Sequence, residues 1–221
     1  TSGTTKSSDT LKSEIINALT NYNTETLQKF DSIYRHSKVT GIIDGVDNSI
    51  LSNITTVKIR KSFTPTISSS TKYAIYFRNA LFNPHTGHNS AAGGILSSTG
   101  FKIDGDTSTI FFLDDDGQGN VRRNSLSGST RIYANSSQGT INYDTGQVTI
   151  NSLKVSVVEN IRGAASSVIE LTVTPSSNDV VPVRDQIVEL DIANSTINVT
   201  ADSFVGGSSD AGVGYTTTSS Y

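Results

Sequence analysis

Apolar positions recur at two different periods along the chain, and the change of period divides it. Leu11, Ile15, Ile16 and Leu19 fall on one helical face, with Ser8 or Asp9 available as a cap. "NYN" (21–23) reads as a stop, and "TETLQKF" (24–30) as a short alternating strand with Leu27 and Phe30 inward. Asp31 or Ser32 then caps a second helix carrying Tyr34, Val39, Ile42 and Ile43, with Gly45 as its C-terminal stop. In "NITTVKIRKSF" (53–63) the period becomes 2: Val57, Ile59 and Phe63 share one face, Lys58, Arg60 and Ser62 the other. The front thus reads helix–strand–helix–strand, a split β-α-β unit that lacks one strand.

From Phe63 onward the pattern is short strands separated by turns. "GFKIDGDTSTIFFLDDDGQGNVRRNSL" (100–126) reads as strand, turn, strand, acidic turn, strand. "TINYDTGQVTI" (140–150) is a hairpin: Ile141, Tyr143, Val148 and Ile150 share one face, and Gly146 supplies a positive φ. "DQIVELDI" (185–192) and "STINVTA" (195–201) read as closing strands. The fold expected is α+β, with a small helix-strand-helix-strand unit over residues 1–63 and a mainly antiparallel sandwich or barrel-like β domain over 64–205. A Gly/Ser/Thr-rich tail covers 206–221. Residues 83–100 read as a long loop.

Charge changes this picture little. Lys and Arg number 17 against 20 Asp and Glu, for a net charge of −3, and the basic residues are scattered, which argues against a nucleic-acid partner. No apolar run approaches the ~18 residues that span a bilayer, so no membrane partner is expected. There is no cysteine, and therefore no disulfide or thiolate chemistry. Met is absent, position 1 included, which leads us to expect that the chain begins inside a longer gene product.

Candidate chemistry is thin. "DDDGQGN" (114–120) has the composition of a calcium loop without its spacing, and it reads as a solvated, dispensable turn. A hard cation between Asp104 and Asp106 on one turn and Asp114 and Asp116 on the other is the metal site considered, and no metal or other cofactor is expected. A hydrolase centred on the acidic residues 114–116 is the enzyme alternative. His85 and His88 have a zinc-like spacing, yet with His36 they are the only histidines. No nucleophile elbow or phosphate loop occurs. Glu189 and Asp191 read as an outward polar face opposite Val188, Leu190 and Ile192. No enzyme and no small-molecule substrate are expected.

The front carries a combination of features: a helix ending at Tyr22, a segment ending in Phe30, "HSKV" (36–39) and the acidic turn "DGVDNS" (44–49). This combination resembles the baseplate-J-like family of contractile-tail bacteriophages, more narrowly the wedge ring protein of T-even-type phages. "GTINYDTGQVTINSLKV" (139–155) is similar to a hairpin in the family's β domain, and "VRDQIVELDIANSTINVTADS" (183–203) to its closing strands in marine relatives. The resemblance implies a structural protein of the virion's tail baseplate, assembled in the host cytoplasm. It further implies a homodimer through the C-terminal region, other wedge proteins as partners, and ring assembly around the central hub, without catalytic residues. Tyr215 and Tyr221 are the expected anchors of the tail on the β domain or on a second copy. The competing reading is a virion carbohydrate- or receptor-binding β module, against which the absence of Trp counts.

Overall fold

The computed structural model describes residues 6–87, 94–183 and 186–200. The fold is α+β: two N-terminal helices, then mainly antiparallel sheet. Helix α1 (Ser8–Tyr22) starts where its sequence says it should, with the Ser7 hydroxyl accepting from the Thr10 N–H. Leu11, Ile15, Leu19 and Tyr22 form its buried stripe.

The strand expected at 24–30 is not there. The helix continues as a π-helical turn, Asn23–Leu27, in which the Gln28 N–H donates to the Asn23 carbonyl at 2.9 Å. The wider turn keeps Asn23 in helical φ/ψ and delivers Leu27, fully buried, to the same core as Leu19. The second helix also begins later than Asp31 or Ser32. Asp31 has φ +62, Tyr34 bridges to Val180, and α2 spans His36–Asp44. Its N-terminal cap comes from far along the chain: the Asp179 carboxylate accepts from the His36 N–H at 2.8 Å.

Among the described residues ten strands follow: β1 (Ile59–Phe63), β2 (Thr71–Tyr76), β3 (Ser97–Ser98), β4 (Phe101–Ile103), β5 (Asp106–Asp115), β6 (Asn120–Ser127), β7 (Thr130–Asn142), β8 (Gln147–Leu153), β9 (Val155–Val158) and β10 (Ile169–Val173). A three-stranded sheet has the order β1-β10-β3, and a seven-stranded sheet the order β2-β8-β7-β6-β5-β4-β9. Only Lys154 separates β8 from β9, although β8 lies near one end of the large sheet and β9 at the other. The sheet must therefore curl to bring its ends together, so the barrel-like alternative describes it rather than a sandwich. Ser152, at φ +47, stands at this bend.

The expected hairpin forms, with Ile141 opposite Val148 and Gly139 opposite Ile150. Tyr143 lies in its turn, half-buried against the same core. Gly146 has φ +67, and a Cβ there would stand 2.3 Å from the Asn79 carbonyl oxygen, so both conformation and space require glycine.

Residues 186–200 carry the expected alternation but are not hydrogen-bonded into a sheet. Val188, Leu190, Ile192, Ile197 and Val199 instead pack on the helical core of Ile15, Leu19, Tyr22, Leu27, Tyr34 and Val39. A second core, filled by residues such as Phe77, Phe101, Leu113, Ile150 and Leu171, lies between the two sheets. Ile150 is fully buried there. Replacing it with Ala should cost about 3 kcal/mol in urea unfolding. A loss below about 1 kcal/mol would contradict this placement.

Candidate assembly surface and the acidic hairpin

The acidic residues of 114–116 are not a solvated turn. Asp114 and Asp115 end β5 and are buried, Asp115 completely. One Asp115 oxygen accepts from the backbone N–H groups of Ile95 (2.7 Å) and Leu96 (2.8 Å). The other accepts from the Tyr143 hydroxyl (2.6 Å) and the Gly117 N–H (3.3 Å). One carboxylate thereby ties the end of the 83–100 loop to the β7–β8 turn. Burial and the hydrogen bond to Asp115 push the Tyr143 hydroxyl well above its usual range. Gly94 touches the same carboxylate so closely, at φ +72, that a Cβ would overlap it.

Asp114 accepts from Arg122 Nε at 2.9 Å and from the Tyr133 hydroxyl at 3.0 Å. Burial nevertheless pushes its carboxyl upward, against the pull of Arg122. The Arg122 guanidinium also stacks over the Tyr133 ring, 4.2 Å from its centroid. Arg123 donates to Gln138 and lies over Phe111. Both arginines are thus engaged within the fold. Asp116 accepts from the Gln118 and Asn120 N–H groups. Its burial opposes ionisation, but the bonds from Asn120 and Gln118 prevail and hold its carboxyl low.

The four candidate metal carboxylates do not converge. Asp106 and Asp114 lie eight residues apart along β5, which separates them by roughly 26 Å at ~3.3 Å per residue. Asp104 pairs with Lys154 at 2.9 Å, which lowers its pKa. Asp106 accepts from Thr109 and Ser108, and its pKa is lowered to about 2, chiefly by the Thr109 N–H. Among the described residues, no three His, Asp or Glu side chains come together as metal ligands. His36 lies on α2, where its ring meets the Thr55 carbonyl at 3.0 Å, while His85 is in the loop after β2. His88, Tyr215 and Tyr221 lie outside the described residues.

The front of the molecule offers a different kind of site. Strand β1 pairs with β10 on one side and has no backbone partner on the other among the described residues. The extended segment leading into it (51–58) turns Asn53, Thr55 and Val57 inward. Ile54 and Leu51 face solvent at 96% and 79% exposure. Asn53 fixes this segment by donating to the Thr40 carbonyl and the Asp44 carboxylate. Arg60 on β1 is anchored by Glu170 and by Asp191, which Asn194 also contacts. Glu189 and Asp191 do stand opposite the inward Val188, Leu190 and Ile192, and Glu189 takes a bond from Gln28. The presentation of this edge was not legible in the sequence, since Asp179, Glu170 and Asp191 all act from more than 100 positions away.

The two acidic residues expected to be dispensable should behave differently. Asp115→Asn turns an amide donor toward N–H and O–H donors and should cost about 3 kcal/mol. Asp116→Asn, half-exposed at the turn, should cost about 1 kcal/mol. Equal, negligible effects in chemical denaturation would refute the Asp115 tie. No curated protein matches the chain. Residues 1–62, from α1 into β1, match the family model of the baseplate structural protein gp6, C-terminal domain III, so the front segment is similar to that domain of a phage baseplate protein.

Proposed function

We propose that the chain is a structural component of a phage tail baseplate, a wedge subunit whose assembled form belongs to the virion. The observation that carries this reading is the coincidence of the matched segment with an open strand edge. Within residues 1–62 lie both the unpaired side of β1 and the two most exposed large apolar side chains of the described residues, Leu51 and Ile54. An open strand edge is a template for pairing with another chain, and exposed apolar groups on the segment leading into it add contact surface. Its natural occupants are a second copy of this chain or a neighbouring baseplate protein.

In this reading the C-terminal region takes part in subunit pairing, because residues 188–199 form one body with the helices that carry the edge. A two-fold homodimer would bury at least ~1,000 Å² in total. Tyr215 and Tyr221 would anchor the tail on the β domain or on the second copy. The subunits then join into a ring around the central hub, and no step of this role calls for catalysis, a cofactor, nucleic acid or a membrane. The carbohydrate-binding alternative draws less support, since the exposed rings are spread along the chain: Phe30 before α2, Tyr76 in β2, Phe82 in the loop after it and Tyr133 in β7.

Light scattering tests the assembly directly. The full chain should associate at tens of micromolar. Leu51→Glu with Ile54→Glu should shift it to monomer without lowering the melting temperature, because neither side chain is buried. Removal of residues 206–221 should weaken association as well. A full chain that stays monomeric at high concentration defeats the dimer, and unchanged association in the double variant removes the β1 edge from it.

A further inference from the structure

Lys61 on β1 holds an unusual place for a cation. It shares a strand face with Ile59 and Phe63, which both pack on the core between the sheets. Its stem therefore starts on the core side, and its Nζ ends on the last residue of β2, donating to the Tyr76 carbonyl at 2.6 Å. Two residues further on stands Arg78, near enough for its charge to act on Lys61. Burial first, and then Arg78, lower the Lys61 pKa. Among the described residues neither cation has a carboxylate partner, Asp144 on the adjoining β7–β8 turn included, whereas Arg60, Arg122, Arg131 and Arg162 each have one. Arg78 is also held at φ +57, a conformation that favours glycine. The backbone around it is pinned: the Phe77 N–H donates to the Gly146 carbonyl, the Leu81 N–H to the Tyr143 carbonyl, and the Asn79 amide to the Phe77 carbonyl. None of these bonds uses the Arg78 side chain, which is exposed. The fold thus keeps a strained backbone and two neighbouring like charges, a combination that points to a ligand clamp.

We propose that Lys61 and Arg78 form an anion site that takes the side-chain carboxylate of an Asp or Glu on a protein partner. The chemistry follows from the two donors. A carboxylate has two oxygens, one to accept from the Arg78 guanidinium and one from the Lys61 ammonium, which has two protons left beside its bond to Tyr76. The pairing offsets the repulsion between the cations and supplies the partly buried Lys61 with a counter-charge. The surroundings indicate a protein as the source. Tyr76, whose carbonyl Lys61 meets, exposes its side chain, and exposed tyrosines with arginine are typical of protein interfaces. The site stands on its own geometry and does not require pairing at the β1 edge.

The test uses the full, 15N-labelled chain at low ionic strength, with acetyl-Ala-Glu-Ala-amide as probe. The Arg78 side-chain Nε–H and the Phe77 amide should shift saturably, with a midpoint in the millimolar range. Acetyl-Ala-Gln-Ala-amide should bind at least about tenfold more weakly, since only the carboxylate makes charge-assisted bonds. Lys61→Met and Arg78→Gln should each weaken the Glu peptide at least about threefold, whereas Lys72→Gln, exposed on β2, should not. Arg78→Gly should lose the Phe77 shift with no fall in melting temperature, because glycine takes φ +57 freely. Equal binding of the Gln peptide, or shifts that survive Arg78→Gln, would overturn the proposal. Tighter binding of inorganic phosphate than of the Glu peptide would overturn it in favour of a free anion, and a lower melting temperature in Arg78→Gly would overturn it in favour of a structural arginine.

Discussion

The front of the molecule depends on the return of the chain's far end. Tyr34 and Val180 exchange backbone hydrogen bonds, each 3.0 Å, and Val188, Leu190, Ile192, Ile197 and Val199 pack into the core of the two helices. Helices of 15 and 9 residues are marginal alone in water. Here the returning segment covers the apolar stripe of α1, and Asn23 accepts from the Leu190 N–H at 2.7 Å. Asp179 satisfies the start of α2. Tyr34, buried at the bridge, has its hydroxyl pushed up to about 12 by burial, beside Tyr22 and Asp179. The segment similar to the baseplate domain is therefore completed by residues well outside the matched stretch.

The same return links the β1 edge to the β region. Arg60 on β1 reaches Glu170 on β10 and Asp191 on the returning segment, so strand, sheet and far end are locked together at one guanidinium. The small sheet that carries the β1 edge shares its core with the curled one. In the curled sheet Asp115 plays a comparable part, gathering a loop, a turn and a hairpin on one carboxylate. Buried, fully satisfied polar groups of this kind fix geometry.

Local rules made much of this legible. The alternation of β5, β6 and the β7–β8 hairpin, the turn glycine Gly146, and the stripe of α1 all follow from period and turn chemistry. What escaped is long-range. Asn23, where the π turn begins, holds the distant Leu190 N–H on its side chain, and α2 is capped by Asp179, not by a neighbour. Residues 186–200 alternate like a strand because one face packs on helices, a pattern that sequence cannot tell from sheet pairing. A run of three aspartates reads as surface unless the donors that surround Asp115, from Ile95 to Tyr143, are already in place. The baseplate resemblance was legible in the front, where the family match falls.

Native-state hydrogen exchange on the full chain tests most directly whether the two ends share one core. In Val180→Ala, the amides of Leu19 in α1 and Ile43 in α2, more than 130 positions upstream, should exchange about tenfold faster, while those of Val148 and Ile150 stay as they are. Unchanged exchange in both helices, with acceleration confined to the neighbours of Val180 in sequence, would contradict the account.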